Sequence, residues 1–96
     1  MRIIASPETV SGIRDGGGLL FVWPAWSRGP RLVLTILVSS LDPPPDALDY
    51  RRFDQDLFTL FLHPRVPSLP DELWVEFRGH RRPHVCVYWN GLAFVA

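Results

Sequence analysis

Proline and glycine cut this chain into short pieces. Ten prolines and seven glycines are spread over 96 residues, and the short apolar runs between them favour strands over helices. Leu, Ile, Val and Phe supply 32 residues, which is above the level at which chains stay disordered and enough for one modest core. The expected fold is therefore a mainly β (or α+β) single domain spanning residues 1–96. It takes the form of a small sandwich or partly closed barrel of about six or seven strands, with one short N-terminal helix.

Local signals place the elements. Ser6-Pro7-Glu8-Thr9 offers an N-cap, a proline in the first helical position and an early acid, so a helix of about two turns starts here and stops at Gly12 or in Gly16-Gly17-Gly18. Leu19 to Trp23 reads as a strand ended by Pro24. Arg31 to Ser39 reads as its partner, and apolar residues on both alternating faces of Leu32 to Val38 predict a central position with both faces covered. Asp42-Pro43-Pro44-Pro45-Asp46 is an extended connector. Ala47 to Phe53 is ambiguous between helix and strand, with Tyr50 to Phe53 able to pair across Asp54-Gln55-Asp56. Leu57 to Leu62 is a strand, and Ser68-Leu69-Pro70-Asp71 suggests a single helical turn.

The last quarter carries a register. Placing Leu73, Val75 and Phe77 on the same core as Val85, Val87 and Trp89 pairs Arg78 with His84, Phe77 with Val85, Val75 with Val87 and Leu73 with Trp89. Asn90-Gly91 is a type I′ hairpin signal, extending the pattern to Trp89 with Leu92, Val87 with Phe94 and Val85 with Ala96. A C-terminal three-stranded meander is expected. Its last strand, Leu92 to Ala96, carries no charge or proline. Its outer edge is therefore expected to pair either with an earlier strand such as Leu57 to Leu62 or with a second subunit.

Composition excludes several classes of chemistry. Ten acidic residues offset ten basic ones, so no global field draws the chain to nucleic acid or to an anionic surface. All ten basic residues are Arg and none is Lys, which removes Schiff-base and lysine-nucleophile chemistry. The single cysteine, Cys86, excludes an intramolecular disulfide and any multi-cysteine zinc or iron–sulfur site within one chain. A cytoplasmic location is expected, with neither a secretion signal among the first residues nor a membrane span, and no cofactor or metal.

Three constellations remain as candidates. Trp23-Pro24-Ala25-Trp26-Ser27-Arg28 places two Trp and an Arg in a proline-stiffened loop, residue types common at binding hot spots. Either these anchor a protein partner, or Trp23 joins the core and Trp26 closes over the sheet end as a lid. Arg78, Arg81 and Arg82 with His84, Tyr88 and Trp74 form a local basic and aromatic patch suited to an anion or single-stranded nucleic acid, although the plainer reading is a solvated loop. His80, His84 and Cys86 contain ligand types for a metal, and Cys86 with His84 or His63 supplies a thiol with a base. They lack the paired spacing of a strong zinc motif, and no oxyanion-hole motif accompanies them. Gly16 to Gly18 lacks the Lys and helix of a phosphate loop. The aspartates at 42, 46, 49, 54 and 56 fit ordinary turns.

The sequence thus reads as a β-rich protein-interaction or assembly module. Its partner is another protein or a second copy, recognised through Trp23, Trp26, Arg28, Phe94 and Val95. Anion or nucleic-acid binding is the alternative, and a metal- or thiol-dependent enzyme comes third. No catalytic residue is assigned.

Overall fold

Two sheets built on different strand orders form the molecule. The computed structural model describes residues 1–28, 30, 33–56, 58–66, 68–78 and 84–95, with the backbone alone at 27 and 28. Among these, one helix and seven strands follow in the order β1 (Arg2–Ala5), α1 (Pro7–Asp15), β2 (Leu19–Arg28), β3 (Val33–Ser40), β4 (Arg51–Asp54), β5 (Thr59–Leu62), β6 (Glu72–Arg78) and β7 (His84–Trp89). A three-stranded sheet has the order β1-β6-β7, and a four-stranded sheet has the order β3-β2-β5-β4. The domain is mainly β and sandwich-like, as expected. No helix among the described residues is long and apolar enough to cross a membrane.

The helix starts where its capping residues predict. Ser6 Oγ accepts the Thr9 amide at 3.2 Å, and Pro7 occupies the first turn. Gly12 does not stop the helix. Its missing side chain instead lets the Phe77 ring of β6 approach, since a Cβ there would overlap the ring. The stop comes at Gly16 to Gly18, where positive φ at Gly17 and Gly18 turns the chain into β2.

The β6–β7 register is the one expected, from Leu73 opposite Trp89 to Arg78 opposite His84. Leu73, Val75, Val87 and Trp89 join Ile13, Leu20, Val22, Leu60 and Leu62 in the buried core between the sheets. At about 25 cal/mol per Å² of apolar surface removed from water, this shared core is the main stabilising term. β4 pairs with β5 from Arg51 opposite Leu62 to Asp54 opposite Thr59, and Ala47–Asp49 forms a single 3-10 turn before it.

Several expectations are corrected. Pro24 does not end β2, which pairs with β3 from Phe21 to Arg28. β5 leaves the other side of β2 after Val22, so Pro24 sits where that side is unpaired and its missing N–H breaks no ladder bond there. β3 is not central but lies at the end of its sheet. Ser68 to Asp71 forms no helical turn, because Pro70 keeps Leu69 extended and the Asp71 carbonyl accepts the Arg2 amide at 2.8 Å at the start of the β1–β6 ladder.

The meander loses its third strand. Asn90 and Gly91 take the positive φ of the expected turn, and Trp89 bridges Leu92, but the pairing ends at that single bridge. The Val95 amide donates instead to Thr35 of β3 at 2.7 Å, while β1 fills the third place in the β6–β7 sheet. Among the described residues, neither β5 nor a C-terminal strand closes that edge. Ala96 lies outside the described residues.

Candidate interaction surface

The β2–β3 ribbon runs past its support. β5 pairs only with Leu19–Val22 of β2, yet the β2–β3 ladder continues to Arg28 opposite Val33. From Trp23 onward the four-stranded sheet is therefore reduced to two strands, an arrangement of marginal stability unless something packs on it.

Alternation sorts the ribbon's side chains into two faces. On the core side, Leu20 and Val22 are buried. Continuing outward on that face come Pro24, then Trp26 opposite Thr35, while Val33 lies opposite Arg28. Trp26 is 74% exposed and Val33 56%. Trp26 is thus displayed on a regular strand, not folded back as a lid.

The opposite face is apolar as well. Phe21, Trp23 and Ala25 of β2 lie opposite Ser40, Val38 and Ile36 of β3, with Leu34 one step further along. Phe61 of β5 extends the row, stacked on Phe21 at 4.7 Å and 14°. Tyr50 covers that end, edge-on to Phe21 at 6.1 Å and to His63 at 5.1 Å. Trp23, Ala25, Leu34, Ile36 and Val38 remain half-buried. None of these five carries a charge.

The proposed partner-binding residues therefore divide. Trp23 and Trp26 point to opposite faces of one ribbon. Phe94 is 39% exposed, whereas Val95 packs against the core. The Arg28 side chain lies outside the described residues. Sequence reasoning passed over Ala25 of β2 and over Leu34, Ile36 and Val38, although the signal of the last three is visible in the two-faced apolar pattern of β3.

The described anion-site candidates lie together on the other sheet. Arg78, His84 and Tyr88 share the outer face of the other sheet with Trp74, Glu76 and Cys86, and Trp74 stands directly opposite Tyr88. Arg78 donates through Nε and Nη2 to Glu76 Oε2 at 3.0 and 2.8 Å and lies 5.9 Å from the Tyr88 ring centroid. The hydrogen bond to Glu76 raises the Arg78 pKa. Burial, followed by the neighbouring Cys86, raises that of Tyr88. Nearby, Arg2 holds the Glu72 carboxyl below its usual range. Acid and base alternate along this face. His80, Arg81 and Arg82 lie outside the described residues, and among the described residues no three His, Cys, Asp or Glu side chains gather as metal ligands.

No family model and no curated protein sequence matches the chain. Among solved structures, the chain is similar to the crystal structure of Escherichia coli SufA, a protein involved in biosynthesis of iron–sulfur clusters. The TM-score is 0.52 at 19% sequence identity, covering 93% of this chain and 81% of that one. At that identity the likeness is one of fold.

Proposed function

We propose that this chain is a non-enzymatic protein-interaction or assembly domain whose binding surface is the β2–β3 ribbon. The observation that carries the reading is a two-stranded extension apolar on both faces, with Trp26 74% exposed on one and Trp23, Ile36 and Val38 on the other. Large aromatic side chains on a regular ladder lose little conformational freedom on binding, which makes them effective anchors.

The fold shared with SufA is consistent with an assembly role but does not bring an iron–sulfur cluster with it. Such clusters are held by several cysteine thiolates, and this chain has one cysteine. A single chain does not fit the group.

Photo-crosslinking tests the reading. A benzophenone amino acid placed at Trp26 or at Ile36 in cells is expected to give discrete protein adducts that the same probe at Asp71, exposed just before β6 of the other sheet, does not give. Absence of adducts from both ribbon positions, or equal adducts from Asp71, overturns it.

A second reading, single-stranded nucleic acid on the Trp74–Tyr88 face, is favoured by that cross-strand aromatic pair and opposed by Glu76, which engages Arg78. Salt-dependent retention on an immobilised oligonucleotide, lost in Tyr88→Ala, supports it. Salt-independent passage overturns it.

A further inference from the structure

We infer that the free edge of β2, from Pro24 to Arg28, pairs antiparallel with the same edge of a second copy, about a two-fold axis at Trp26. The inference rests on the interaction reading above and names the partner and the backbone bonds that hold it.

Two bonds already in place fix where the backbone of β2 points. The Val22 carbonyl accepts the His63 amide at 2.9 Å, so the even-numbered residues of β2 direct their backbone groups toward the β5 side. Thr35, paired with Trp26, gives its carbonyl to Val95, as it does where both members of a cross-strand pair point away from each other. The β2–β3 register runs without a bulge from Phe21 to Arg28. Pro24, Trp26 and Arg28 therefore keep that direction beyond Val22, where the pairing with β5 ends. Among the described residues, no strand pairs with this stretch, and an open row of backbone groups is a template for another strand.

The edge is its own complement. With the axis at Trp26, the Trp26 N–H of each copy donates to the Trp26 carbonyl of the other, and the Arg28 N–H of each donates to the Pro24 carbonyl of the other. Pro24 has no N–H, and in this register its missing bond falls at the rim. A shift toward the base of the ribbon sets Pro24 opposite Trp26 and loses central bonds. A shift toward the tip leaves the Pro24 carbonyl unpaired. In the centred register the two Trp26 side chains share one face with their Cα atoms about 5.5 Å apart, so each ring, 74% exposed in the single chain, is covered by the other. The two ribbons join into a four-stranded sheet, which removes the weakness of a two-stranded extension. A second copy thus supplies both the bonds and the ring.

Sedimentation velocity from low to high micromolar concentration, with amide hydrogen exchange read by NMR on the same samples, tests the inference. The wild-type chain is expected to dimerise reversibly, and the Trp26 amide to gain protection as concentration rises. Trp26→Pro removes the donor at the axis and should raise the dissociation constant roughly tenfold or more, since each copy loses a central bond. Trp26→Val trims the ring but keeps the N–H, and should weaken association less. In a Cys86→Ala background, Trp26→Cys sets two thiols within disulfide reach, so oxidised glutathione should give a disulfide dimer. Leu48→Cys, fully exposed outside the ribbon, should not. Circular dichroism establishes that each variant is folded, and if Trp26→Pro unfolds, the exchange data and the Trp26→Cys crosslink carry the test. A wild-type chain monomeric throughout, a dimer that a folded Trp26→Pro leaves intact, or no disulfide at Trp26→Cys overturns the inference. If the chain is monomeric while the probe at Trp26 or Ile36 still gives an adduct with a different protein, this inference fails and the interaction reading stands. Absence of both dimer and adduct removes both.

Discussion

The backbone amide of Val95 donates to the carbonyl of Thr35 at 2.7 Å, and this bond joins the end of the chain to the opposite sheet. It works alongside Ser39, whose hydroxyl donates to the Val85 carbonyl at 2.7 Å. Between them the edges of β3 and β7 meet, and an open edge on either strand is partly covered. Because Val95 also packs on the core, Val95→Asp forces a carboxylate against apolar neighbours. The expected loss is about 2 kcal/mol in denaturant unfolding. Unchanged stability would show that the C-terminal segment is only loosely attached.

Gly12 offers a test with an inverted sign. In an exposed helix interior, Gly→Ala stabilises by about 0.5–1 kcal/mol. Here the added methyl group meets Phe77 ring atoms at 2.7 and 2.9 Å. Gly12→Ala is expected to destabilise by about 1–2 kcal/mol. The penalty should disappear when Phe77 is already Ala, which a double-mutant cycle on thermal unfolding measures directly. A stabilised single variant would mean that the ring moves aside freely.

What was legible in the sequence depended on how many constraints met at each element. The β6–β7 register followed because Leu73, Val75, Val87 and Trp89 must share one core, and a one-residue slip would reverse every face. Ser6-Pro7 and Asn90-Gly91 were equally readable, since caps and primed turns need particular residue types. The path after Leu92 was not, because a single backbone bond to a residue far back in the sequence leaves no periodic trace. For β3, the two apolar faces predict cover on both sides within the chain, whereas one of them faces away from the core. Composition reports that a face needs covering. It does not report whether the cover lies in the same chain. Pro24 misled for a similar reason, since its effect depends on where β5 stops.

Asn90 ties the β7 turn to the start of β6. Its amide donates to the Glu72 carbonyl at 2.8 Å, and its side-chain oxygen accepts the Glu72 amide at 2.9 Å, while its own φ is +48°. Asn tolerates this left-handed conformation better than most residues. Asn90→Ala gives up both the acceptor and that tolerance and should cost about 1–2 kcal/mol. Asn90→Asp keeps the acceptor and should cost clearly less. Equal losses in the two variants would assign the effect to the side-chain NH₂ group instead.

Alkaline pH should reveal the packing of Tyr50. Burial is the first cause that raises its pKa above the ordinary 10.0, and the nearby Asp46 carboxylate is the second. The folded chain therefore holds the phenolic proton to higher pH than the unfolded chain does. The corresponding stability is fully present below the unfolded value and is lost as pH rises through the raised folded value. Tyr50→Phe retains the ring contacts with Phe21 and His63 and removes the titrating group. Its stability should change little near neutrality and fall less steeply than wild type above about pH 10. Tyr88 is raised as well, by burial first, so Tyr88→Phe isolates a second alkaline component and the double variant should be flatter than either single one. Urea unfolding at a series of alkaline pH values, with ultraviolet titration of the phenolates alongside, measures both. A Tyr50→Phe variant that loses stability with pH as steeply as wild type would show that the Tyr50 phenol is not what the fold protects.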